Sequence, residues 1–187
     1  MLDERERLGL LWIDAHMDAH TFRTSPSRAR HGMPLACLLG HGDPRLTRIG
    51  GPKPKLLPQD VCLIGVRSYE CGEAALLDKL GVRIYFMAEI HRRGRAAVFA
   101  EAWEQVTRES AAAGISLDLD TLDPEEEPGV GSPVAGGLRR NELAASLRQL
   151  HGETRLRALE VVEYNPHADR DFVAARAIHD LCRSVIG

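Results

Sequence analysis

The sequence predicts an α/β fold: a three-layer, open, mostly parallel sheet with helices on both faces. Five short apolar runs rich in β-branched residues recur along the 187-residue chain, at 8–13, 61–66, 82–87, 115–119 and 158–162. Each is nearly continuous in its apolarity, which marks a strand buried on both faces of a parallel sheet rather than a half-solvated antiparallel one. The segments between them have helical length and composition, and such alternation winds an open sheet through right-handed crossovers.

The first run, 8–13, reads as a buried strand. Residues 42–58, with four prolines and three glycines, read as a surface loop before the strand at 61–66. The helix over 72–80 groups Ala75, Leu76 and Leu80 on one side, and the strand at 82–87 follows it. The basic run 91–95 sits where a helix begins and reads as a solvated face. That helix extends over 95–113, rich in Ala and Glu, and ends at Gly114 before the strand at 115–119. A helix over 141–150 follows a Gly-Gly-Leu turn, and a last one over 172–186 follows the start signal Asp169-Arg170-Asp171. No repeat or low-complexity linker interrupts the pattern, so residues 1–187 read as one domain.

Composition narrows the function. The chain is 44% hydrophobic and 27% charged with a formal net charge of −3, so it carries no basic field to draw nucleic acid or an anionic membrane. Its apolar runs fall far short of the ~20 residues that cross a bilayer. Met1 to Arg7 is too charged for the apolar core of a signal peptide. The four cysteines form no Cys-x-x-Cys pair and three lie in apolar segments, which points to buried, reduced thiols in a cytoplasmic protein.

Ligands of such sheets collect at the carboxyl ends of the strands. Asp14, Arg67, Asp118 and Glu163 all follow predicted strands and are expected on one rim. In Asp14-Ala15-His16-Met17-Asp18-Ala19-His20 acidic and imidazole side chains alternate with small or apolar ones, and an extended backbone would aim all four at one side. Like charges that close are costly when buried unless a cation sits between them. Ser116-Leu117-Asp118-Leu119-Asp120 adds two carboxylates at another strand end. Together they make an oxygen-rich pocket with imidazole, suited to Mn(II) above Zn, Fe or Ni, and large enough in donors for two ions. His31, beside Gly32 after a hydroxyl-rich loop, reads as a proton carrier or as a structural residue. Glu163, in Glu160-Val161-Val162-Glu163-Tyr164-Asn165-Pro166, is placed to grip a cationic group such as a guanidinium.

Asp-Ala-His-x-Asp at 14–18, His-Gly-Met-Pro-Leu at 31–35, Ser-x-Asp-x-Asp-x-Leu-Asp-Pro at 116–124, Gly-x-Pro-Val-x-Gly-Gly-Leu at 131–138 and Glu-x-Asn-Pro at 163–166 resemble the ureohydrolase family of arginases and agmatinases, most closely its arginase branch. The resemblance implies an arginase-like fold and a binuclear Mn2+ hydrolase that converts L-arginine to ornithine and urea. It implies that Asp14 and Asp118 bridge the ions, that His16 and Asp120 complete one site, and that Asp18 serves the other and orients the attacking water. Glu163 would hold the guanidinium and His31 would move a proton. Ser27 would meet the substrate carboxylate, Ser132 would line the pocket, and Glu70 would read the amino group through water. His20 stands where arginases usually have Asn, and Ser68-Tyr69-Glu70 replaces a usual pair of aspartates.

The family's Gly-Gly-Asp-His segment has no counterpart before Ile13. The expectation is therefore an N-terminally truncated version of the fold, with one metal site short of a ligand and the first strand at an uncovered edge. The implied partner is a small guanidino compound, with assembly as a homo-oligomer, trimer or hexamer. The alternatives are an agmatinase or other guanidino-compound hydrolase, and a truncated, metal-deficient, non-catalytic domain that holds one ion or none.

Overall fold

The computed structural model describes residues 7–127 and 129–187; the charged residues 1–6 lie outside it. Five parallel strands form one sheet in the order β3-β2-β1-β4-β5. They are β1 (Leu8–Ile13), β2 (Val61–Val66), β3 (Arg83–Phe86), β4 (Ala112–Asp118) and β5 (Leu156–Val162). The helices are α1 (Pro34–Leu38), α2 (Pro44–Thr47), α3 (Cys71–Leu80), α4 (Met87–Arg93), α5 (Arg95–Thr107), α6 (Arg140–Arg148) and α7 (Val173–Ile186).

Alternation along the strands sorts the core into two layers. Leu11, Ile13, Cys62, Ile64, Ile115 and Leu117 pack with residues of α4, α5, α6 and α7 on one face. Trp12, Leu63 and Val61 pack with Leu35 of α1 and Leu77 of α3 on the other. Helices on both faces of a parallel sheet are thus present as expected. No helix among the described residues is long and apolar enough to cross a membrane.

Several boundaries differ from the sequence reading, each for a local reason. The helix expected over 95–113 stops at Thr107, and Ala112, Ala113 and Gly114 open β4 instead. Alanine favours helices in isolation, but here small residues occupy the strand beside Gly9, which pairs with Ala113. Gly9 itself is required: a Cβ there would lie 1.9 Å from the Val106 carbonyl oxygen of α5. Gly9→Ala is expected to lower stability by about 1–3 kcal/mol, the usual cost of overpacking, and a urea titration reads it. Met87 begins α4 instead of ending β3, and Gly94, at φ 88°, breaks α4 from α5. The basic run 91–95 therefore ends one helix and starts another, and it is mostly exposed, as expected of a solvated face. On α3 the buried positions are Glu73 and Leu77, with Ala75 exposed, so the inward stripe is rotated from the expected one. Only Cys62 of the four free cysteines is fully buried, while Cys71 is exposed.

The expected uncovered edge is also corrected. β1 lies at the centre between β2 and β4, and the edges of the sheet are β3 and β5. At β5 one face is open to solvent. There Leu159 and Val161 pack inward, whereas Arg157, Ala158 and Glu160 are exposed. β5 is consequently half-solvated and not buried on both faces.

After β4 the chain folds back on itself. Asp123 accepts hydrogen bonds from the amides of Gly136 (2.9 Å) and Gly137 (3.1 Å), and Leu138 bridges to Leu122. Glu127 in this excursion is 1% exposed, and neither carboxylate oxygen has a hydrogen bond. The Arg140 Nε lies 3.0 Å from Oε1, in ion-pair range but without hydrogen-bonding alignment. Burial outweighs the arginine's pull and pushes the Glu127 carboxyl up to about 7. Between 4.5 and about 7 the folded chain keeps a proton that the unfolded chain releases, so this group lowers stability as pH rises through that window. Glu127→Gln is expected to flatten that slope and to stabilise the chain at pH 8 by roughly 1–3 kcal/mol, measured by thermal melts across the pH range.

Candidate metal centre

The strand ends gather their polar side chains as the α/β topology demands. Asp14 follows β1, Asp118 closes β4, Asp120 lies in the 3-10 turn after it, and Glu163 follows β5. His16, Asp18, His31, Asp118, Asp120, Ser132 and Glu163 line one cavity of about 50 Å³. That volume admits ions and the head of a ligand, and leaves the rest of a larger molecule outside.

Asp14, His16 and Asp120 form one close group, with one donor atom from each within 4.8 Å of the others. His16 Nδ1 is 2.9 Å from Asp120 Oδ2 and 3.6 Å from Asp14 Oδ1. Short local bonds fix these carboxylates. Asp14 Oδ1 accepts from the His16 amide at 2.7 Å, and Asp118 Oδ1 accepts from the Asp120 amide at 2.8 Å. Asp120 Oδ1 accepts from the Ala15 amide at 3.2 Å, joining the β1 and β4 ends.

The electrostatics are those of carboxylates crowded out of water. Burial, then the charges of Asp14 and Asp120, pushes the Asp118 carboxyl up to about 10. Burial and Asp14 raise Asp18 to about 8. Asp14 is raised chiefly by its burial. Burial also pushes on Asp120, but bonds from His16 and the Ala15 amide outweigh it and hold Asp120 below its usual range. His16 is raised to about 10 by Asp120 and then Asp14. A divalent cation relieves this crowding, and an oxygen-rich set with one imidazole matches the preference of Mn2+. The residues present therefore fit the ion that the resemblance implies.

The alternating run after β1 does not stay extended. Asp18 takes a left-handed backbone, φ 51°, and His20 turns away from the cavity. Its Nε2 is 2.9 Å from Glu70 Oε2 and its Nδ1 is 3.1 Å from Thr24 Oγ1. The expectation that 14, 16, 18 and 20 share one side is thus corrected: His20 joins Glu70 and Glu73 in a second group. Glu73 is buried and caps the start of α3 by accepting from the Glu70 amide, and it also accepts from the Ala19 amide. Ser27 lies on the exposed loop after His20, bonded to the Ala29 amide and outside the cavity lining. His31 is exposed at the cavity.

Two side chains have partners here that the sequence reading did not foresee. The Trp12 indole N–H donates to Asp14 Oδ2 at 2.8 Å. Arg67, expected on the rim, instead spends its guanidinium on backbone carbonyls of Asp120 (2.7 Å), Val134 (2.8 Å) and Ala135 (3.2 Å). It thereby ties the β2 and β4 ends to the segment that carries Ser132.

An open parallel sheet with a candidate divalent-metal centre at the carboxyl ends of its central strands defines the class of this protein. A family model described as the arginase family matches residues 1–187, and the chain belongs to that family. Arginase of Brevibacillus brevis is 43% identical over 182 residues, covering 97% of this chain and 61% of the relative. The structure of arginase from Bacillus caldovelox superposes with a TM-score of 0.94 at 43% identity, again over 97% of this chain and 61% of that one. Arginase of Entamoeba histolytica in complex with L-ornithine gives a TM-score of 0.91 at 29% identity, over 98% and 61%. The chain thus spans about three-fifths of the length of these relatives.

Proposed function

We propose that the chain is a cytoplasmic, self-associating manganese hydrolase of guanidino compounds, acting on L-arginine to give ornithine and urea. The convergence of His16, Asp18, His31, Asp118, Asp120, Ser132 and Glu163 on one cavity carries this reading. The Entamoeba relative, whose complex contains L-ornithine, supports the amino-acid product.

Asp14 and Asp118 would serve both ions, with His16 and Asp120 completing the set for one and Asp18 for the other. When bound, the ions neutralise the crowded carboxylates and make water nucleophilic near neutral pH. Asp18 orients that water. Glu163, exposed at the cavity just past β5, accepts hydrogen bonds from the guanidinium N–H groups and aims its carbon inward. His31, on the facing loop, gives a proton to the departing amine, which leaves neutral only if it gains one. Ser132 lines the pocket. Ser27 receives the carboxylate of the substrate, and Glu70, with His20, reads its amino group through water.

A metal-binding chain without turnover is the second reading, favoured because His16 is the one imidazole in the tight donor group. Manganese content and urea release separate the two. At least one Mn2+ per chain is expected, with urea formed from L-arginine faster than from agmatine. Urea formed faster from agmatine would move the assignment to the agmatinase branch. Bound manganese with no urea from any guanidino compound would establish the second reading.

A further inference from the structure

We infer that Trp12 is a positioning residue for the metal centre, acting through Asp14; the inference rests on the manganese reading above. Trp12 lies two residues before Asp14 on β1, and its register with Leu63 and Ser116 places it on the α1/α3 face of the sheet. An indole has a single donor and no acceptor, so a buried tryptophan has one polar bond to give. Here that bond goes to Asp14 Oδ2, with both residues at or below 5% exposure. The other oxygen, Oδ1, takes the His16 amide. Each carboxylate oxygen is therefore held by one N–H, which fixes the plane of the group and leaves lone pairs on both oxygens for cations.

The placement ties two parts of the site together. Trp12 also borders a cavity of about 610 Å³ lined by Arg30, Met33 and Pro34, the residues that flank His31-Gly32. One indole thus shares a cavity lining with the segment carrying the exposed imidazole while bonding the strand-end carboxylate. Its counterpart, Trp103, donates to Glu153 at 3.2 Å, away from the centre, and serves as a control.

Partners of a ligating carboxylate orient it, and their loss costs about 10–100-fold in metal affinity. Trp12→Phe keeps an aromatic ring and removes the donor. The test is Mn2+ binding to the full chain by titration calorimetry, with free Mn2+ followed by electron paramagnetic resonance and metal-free folding followed by near-ultraviolet circular dichroism. Trp12→Phe is expected to bind at least tenfold more weakly with an unchanged metal-free spectrum, and Trp103→Phe to bind as the parent does. Trp12 emission in Trp103→Phe is expected to respond to Mn2+, which reports that the ion binds beside Asp14, while the affinity lost by Trp12→Phe at an unchanged metal-free spectrum is what a purely structural role would not give. Should Trp12→Phe fail to fold, benzothienylalanine at position 12 in the Trp103→Phe background preserves the ring shape with sulfur in place of N–H. Parent-like affinity of either donor-less protein overturns the inference alone. Absence of Mn2+ binding by the parent overturns the manganese reading and this inference with it.

Discussion

Asp118→Asn is expected to cut urea release by about 100–1,000-fold while leaving the metal-free fold intact, on the scale by which removed charge stabilisation lowers catalysis. Asp118 is 4% exposed, and its Oδ1 accepts from the Asp120 amide. Without a cation, burial and its neighbours push its carboxyl well above the usual range and so toward the neutral form. An asparagine of the same shape keeps the accepted bond and costs little. The carboxylate is needed only once cations enter, because an amide supplies no negative charge. Saturating Mn2+ at ~100 times its Kd should stabilise the parent by about 2.7 kcal/mol. The variant should show a clearly smaller rise in melting temperature. Retention of even a tenth of the parental urea rate would contradict the assignment of Asp118 to the centre.

Arg67→Met is expected to destabilise the chain by roughly 1–3 kcal/mol, the range for leaving buried acceptors without donors. The guanidinium, half-buried, also reaches the carbonyls of Leu122 at 3.3 Å and Gly65 at 3.2 Å, besides those of Asp120, Val134 and Ala135. Methionine would leave these acceptors without donors, and partial exposure of the site moderates the loss. Arg67→Lys should recover only part of the stability, since a compact ammonium cannot span acceptors that a planar fork reaches together. Denaturant midpoints measure the loss, and faster amide exchange over 131–137 should accompany it. A change below about 1 kcal/mol for Arg67→Met would show that water replaces the guanidinium at little cost.

The strand centres were legible because β1, β2 and the heart of β4 are continuously apolar. Their ends were not, since Ala112 and Ala113 satisfy a helical pattern until the approach of α5 to Gly9 decides their place. The half-exposed state of β5 depends on which neighbours cover it, and apolarity does not encode that. Within the site, the acidic and imidazole residues announced themselves by type and spacing. His20 misled because a left-handed turn at Asp18 carries no glycine to mark it. Trp12 reads from composition as an ordinary core residue, and the partners of Arg67 are main-chain carbonyls, which leave no trace in side-chain pattern.

Asp18 and Glu163 hold φ angles of 51° and 61°, a backbone region that costs a side chain about 1–2 kcal/mol and glycine almost nothing. Both face the same cavity. Glycine at either position would therefore relax the backbone, and at Asp18 it would also remove a half-buried carboxylate. The chain is less stable than its own topology allows at the two places where it presents acids to a ligand. Thermostabilising selection, applied without a demand for catalysis, would find relief at these positions as well as at Arg28, Asp171 and Phe172, and only here would its gain in melting temperature be a loss of chemistry.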